Sequence, residues 1–122
     1  MKITDYYPIF YTEDVEAEAR RYAEDLGFNV IHRPNIEYLD YAVLENENKR
    51  RIDLVRSYFP ADSFSEGFLG MRANVDDFVE GVSYFETQGY TIFGTAHETA
   101  SSITALLTRG DGIYIVVFHH KK

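Results

Sequence analysis

Cysteine and tryptophan are missing from this chain, and it has only three prolines. Without cysteine there can be no disulfide, no thiolate metal ligand and no thiol nucleophile. Long apolar runs are missing too: "GIYIVVF" near the C-terminus is the longest, well short of the roughly 20 residues a membrane span needs. No charged-then-apolar leader opens the sequence. The expectation is a cytoplasmic protein with no membrane partner. Bases are scarce, 12 Lys and Arg against 20 Asp and Glu, for a net charge of −8. Nucleic-acid backbones require clustered bases, and "NKRR" and "HHKK" are too short to track a duplex. No nucleic-acid partner is expected. An acidic surface can attract a cationic ligand, but it more often serves solubility.

What is present is ample for a core. Of 122 residues, 45% are hydrophobic and 16% aromatic, which argues for one folded domain and against disorder. A chain of this size buries roughly 60–70% of its surface on folding. The order in the sequence is a repeat. "YYPIFYTED" (Tyr6 to Asp14) and "FLGMRANVDD" (Phe68 to Asp77) are both β-prone runs that end on acid. Asp14 and Asp77 stand where a helix N-cap belongs, and Gly27 and Gly89 where a C-cap belongs. Between them Val15, Ala19, Tyr22, Ala23 and Leu26 recur at helical spacing, as do Phe78, Val82 and Phe85. Three β-prone runs follow each glycine: "FNVIH", "EYLDYAVLE" and "RRIDLVRSY" in the first copy, "YTIFG", "SSITALLT" and "IYIVVFHH" in the second. The pattern predicts an α+β fold of two tandem β-α-β-β-β modules. Module 1 covers about residues 1–58, a polar linker 59–67, and module 2 about 68–122.

That repeat, opened by "PIFYTED" and closed by "RGDGIYIVVF", resembles the glyoxalase/bleomycin-resistance superfamily, the vicinal oxygen chelate fold, over nearly the whole chain. The resemblance implies curved mixed sheets around a cavity, often completed by a second chain, so a homodimer is expected. It also implies where metal-using members place their ligands: on the opening strand seven residues before the capping Asp, and on the closing strand of each module. Here those positions read Tyr7, Asp53, Gly70 and Val116. A divalent site normally needs three His, Asp or Glu ligands. This set supplies one strong ligand at best, so no metal and no cofactor are expected. The resemblance is accordingly to the metal-free, bleomycin-resistance-like branch, and the reading favours binding over catalysis. The alternative is a divergent metal-dependent lyase, isomerase or dioxygenase with relocated ligands among Asp53, His97, His120 and His32.

Alternation along strands predicts which side chains share the face away from the helix. In the first module these are Tyr7, Ile9 and Tyr11 with Arg51, Asp53 and Val55; in the second, Gly70, Arg72 and Asn74 with Tyr114, Val116 and Phe118. Tyr41 or Tyr38 joins them from a strand that is apolar in both registers. Leu69, Met71, Ala73 and Val75 are expected on the helix side. Such a set is an aromatic pocket with a few orienting polar groups, the composition of a small-molecule site. The expected ligand contacts are Tyr7, Ile9, Tyr11, Asp53, Arg72, Asn74, Tyr114, Val116 and Phe118, with no catalytic residue. Gly70 is expected to leave open floor. Arg72 suits a carboxylate or phosphate, or else pairs with Asp53 or with a second chain's carboxylate. The aromatic stripe reads equally as core filling.

Overall fold

The computed structural model describes residues 1–35, 39–58 and 64–121. Tyr38 and most of the predicted linker lie outside them. The chain forms two compact units, cut differently from the repeats: residues 8–69 make one, and residues 1–7 with 70–122 make the other. Strand β1 (Ile3–Tyr11) changes unit after Tyr7, and β5 (Gly67–Val75) after Leu69.

In the 8–69 unit, helix α1 (Val15–Leu26) follows β1 and is followed by β2 (Asn29–His32), β3 (Leu39–Glu45) and β4 (Arg51–Ser57). The strand order is β2-β3-β4-β1, with β1 parallel to β4 and the other neighbours antiparallel. Asp14 caps α1 as expected, its carboxylate accepting from the Ala17 N–H at 3.0 Å. Gly27 ends the helix at φ +71, where a Cβ would be strained. Val15 and Ala19 pack on Ala42, Leu44, Ile52 and Leu54. Leu44 and Leu54 are fully buried, each stabilising by about 1.5–3 kcal/mol. The predicted stripe breaks in the last turn, where Ala23 and Leu26 are exposed. Phe28 closes the core instead: its N–H donates to the Tyr22 carbonyl and its ring meets Tyr22 edge-on at 6.0 Å.

In the other unit, α2 (Phe78–Thr87) follows β5, then β6 (Thr91–Ile92), β7 (His97–Glu98), β8 (Ser102–Thr108) and β9 (Tyr114–His120). The order is β5-β9-β8-β6, with β7 also on β8. Asp77 caps α2 through the Glu80 N–H at 2.9 Å. The C-terminal cap is Gln88, not Gly89, although Gly89 follows at φ +94. Val82 and Phe85 pack on Ala73, Val75, Ala105, Leu107, Ile115 and Val117. Gly81 lets the helix sit close, since a Cβ there would lie 3.0–3.3 Å from Val75 and Val117. The first residues of the chain lock onto this unit: the Lys2 N–H donates to the Asp76 carboxylate at 2.7 Å, and Asp76 returns its N–H to the Lys2 carbonyl.

Candidate functional site

Each unit offers one sheet face away from its helix, and register decides what stands on it. In the 8–69 unit, Ile9 lies opposite Asp53, Tyr11 opposite Val55, and Asp53 opposite Val43. Ala42 and Leu44 belong to the α1 core, so Tyr41 and Val43 take the other face, which settles the ambiguous strand. All these face residues are buried, with Asp53 at 0% exposure. A buried carboxyl is costly unless hydrogen-bonded. The Tyr41 hydroxyl donates to it. Tyr11 donates to the Ser57 carbonyl and carries the Phe64 ring at 5.4 Å. Phe64 lies in the predicted linker, and no periodicity in the sequence could have placed it there. At the far end of the same face Arg51 pairs with Glu45 at 3.0 Å. That guanidinium, with Lys49 adding to it, holds the Glu45 carboxyl below its ordinary range.

The face of the other unit is more open. Arg72 lies opposite Val116 and Asn74 opposite Phe118, with Thr104 and Leu106 next along β8. Arg72, Asn74, Tyr114, Val116 and Phe118 are all half-buried. The Arg72 guanidinium stacks over the Phe118 ring at 4.3 Å, and its Nε donates to the Asn74 side-chain Oδ1 at 2.9 Å. A cation held by a ring face and an amide is fixed in orientation before any ligand arrives. Phe93 meets Tyr114 edge-on at 5.8 Å, extending the aromatic surface. The sequence hint was the aromatic in "TIFG", which alternation alone could not assign. Tyr7, also half-buried, belongs to this unit. Tyr6 has its hydroxyl pKa raised, first by burial and then by Tyr90 and Tyr84.

Gly70 corrects one expectation. It leaves no open floor: a Cβ built on it would lie 1.7 Å from the Tyr114 carbonyl oxygen, so the backbone of β9 already fills that space. Met71, Ala73 and Val75 pack under α2, but Leu69 belongs to the 8–69 unit, where Phe68 meets Phe10 edge-on at 5.9 Å. Among the histidines, His97 is on strand β7, His119 makes a 2.9 Å hydrogen bond with the Val75 carbonyl, and His32 and His120 are exposed.

The residues at the fold's metal positions do not fit a metal. Val116 has no lone pair to give, Gly70 has no room for a side chain, and Asp53 is engaged by Tyr41. Among the described residues no group of three or more His, Asp or Glu is placed to hold an ion.

No protein-family model and no curated protein matches the chain. Solved structures do. A methylmalonyl-CoA epimerase from Mycobacterium tuberculosis superposes with TM-score 0.76 at 16% identity, covering 98% of this chain and 90% of its own. The Streptomyces coelicolor methylmalonyl-CoA epimerase in complex with 2-nitronate-propionyl-CoA gives 0.72 at 14%, covering 95% and 96%. A hypothetical protein from Bacillus halodurans C-125 gives 0.72 at 13%, covering 95% and 93%. At such identities what is shared is the fold: this chain has the α+β vicinal oxygen chelate fold of the glyoxalase/bleomycin-resistance superfamily. Among the described residues no helix is long and apolar enough to cross a membrane.

Proposed function

We propose that this chain is a metal-free small-molecule-binding protein that sequesters or senses a small, partly aromatic ligand, and that it acts as a homodimer. One observation carries the reading: a guanidinium fixed over Phe118 by stacking and by Asn74, on a half-open face that also bears Tyr114 and Phe93. Aromatic surface supplies area, and a pre-oriented cation supplies direction toward a carboxylate or phosphate. Tyr7 and Val116, of the same unit, complete the proposed ligand set. Ile9, Tyr11 and Asp53, also expected as ligand contacts, are buried within the 8–69 unit. The donor set supports the metal-free part, because Tyr7, Gly70 and Val116 replace the strong ligands a divalent ion needs. The names of the structural relatives add CoA thioesters to the compounds to be screened.

Native mass spectrometry, sprayed gently and then after denaturation, tests this directly. A dimer mass with a small-molecule adduct and no stoichiometric ion is the expected result. A divalent ion that survives desalting overturns the metal-free reading. A second test is Arg72→Met, which should abolish ligand binding while the fold persists. Collapse of stability in that variant would mark Arg72 as a structural ion-pair member instead.

A further inference from the structure

The half-open face extends beyond the residues assigned above. On β8, Ala105 and Leu107 belong to the core under α2, so Thr104 points to the helix-free face. Thr104 is the register partner of Phe118 on one side and of His97 on the other. Directly opposed residues in an antiparallel ladder share a face. His97 therefore stands in one row with Thr104, Phe118 and Asn74, although Phe118 and Asn74 are 21 and 23 residues from it in sequence. The Arg72 guanidinium is already over Phe118, so from it to His97 is two strand spacings, about 10 Å. Between these two lie the Phe118 ring and the Thr104 hydroxyl.

Building on the binding reading above, we propose that His97 is a specificity-determining residue of this face, and that its ligand is an elongated acid. One anionic group meets Arg72, an apolar or aryl middle crosses Phe118 and Thr104, and a second anionic group meets His97. Two features support an anion at that end. His120, exposed on the same face opposite Ser102, adds a second imidazole to the row beyond. The nearest acid on β7, Glu98, follows His97 on the opposite side of the strand and is held by Lys121. Asp5, exposed on β1 of the same unit and on the strand side of Tyr7, is separated from β7 by β5, β9 and β8. A protonated imidazole binds an anion more strongly than a neutral one, so the second contact strengthens in acid.

The test uses biphenyl-4,4′-dicarboxylate and biphenyl-4-carboxylate, titrated calorimetrically into the full chain at pH 5.5 and pH 8. The dicarboxylate should bind about tenfold or more tightly than the monocarboxylate at pH 5.5, as one charge-assisted hydrogen bond provides. That preference should shrink to near unity at pH 8. It should vanish at both pH values in His97→Gln, and persist in His119→Gln, whose ring bonds to the Val75 carbonyl under the other face. A preference that ignores pH, or survives His97→Gln, overturns this inference and leaves the binding reading standing. Failure of both probes to bind at either pH overturns the two together.

Discussion

The two units are built on one plan and use it differently. In the 8–69 unit the face away from the helix is core: Ile9, Tyr11, Tyr41, Val43, Asp53 and Val55 are all buried. In the other, Arg72, Asn74, Tyr114, Val116 and Phe118 remain half-exposed. Burial explains the chemistry each face carries. In the fully buried part of the closed face the carboxyl is Asp53, held under a tyrosine hydroxyl, and the Glu45–Arg51 pair stays at its less buried end. A half-open face can keep a guanidinium, because water still reaches it while Phe118 and Asn74 fix its direction. The repeat makes two similar faces; one is closed, and the other is the one proposed above to take a ligand. The same contrast runs through the helices. α1 ends in an exposed Leu26, whereas α2 lies close on its sheet through Gly81.

The largest effect that could break this comparison is at Gly70. Gly70→Ala drives a methyl into the Tyr114 carbonyl, and separation of backbones should cost about 3 kcal/mol or more, read as a lower midpoint in urea. A wild-type midpoint would mean that β5 and β9 do not approach so closely. Next come matched polar deletions on the two faces. Tyr41→Phe withdraws a hydrogen bond from a fully buried carboxyl and should destabilise by about 1–3 kcal/mol. Asn74→Ala, on the open face, should cost under about 1 kcal/mol in stability but weaken ligand binding. Equal stability losses would erase the distinction between a closed and an open face.

The smallest effect is in acid. Asp76 has its carboxyl below the ordinary value of 3.8, chiefly because it accepts the Lys2 N–H. Glu45 lies below its ordinary 4.5, chiefly because of Arg51. A depressed carboxyl stabilises the fold above its unfolded value, and that contribution is lost as pH falls through the lower folded value. Both units should therefore weaken below about pH 4. Asp76→Asn should flatten the acid limb for amides of residues 1–7 and 70–121, and Glu45→Gln for those of 8–69. Amide exchange that changes in the opposite unit would contradict this assignment.

Much of this was legible in the residues. Asp14 and Asp77 cap because a short carboxylate reaches the orphan N–H groups, and that chemistry is local. Met71, Ala73 and Val75 alternate with Arg72 and Asn74, so β5 declared its helix side beyond Gly70. The failures occurred where distant segments meet. Leu26 has the right spacing yet is exposed, and Phe28, beyond the end of the helix, packs on the core. Phe64 and Phe93 lie in segments without usable periodicity, yet both meet predicted site residues.

The sequence by itself determined the helix N-caps and, from Met71 to Val75, which side chains share a strand face, since these follow from neighbours a few residues away. Only the tertiary structure decided which face closes, that the Tyr114 carbonyl occupies the space beside Gly70, and that His97 stands in line with Phe118. Strand alternation defines two faces without ranking them. Burial is assigned by partners far along the chain, through registers that no local pattern encodes.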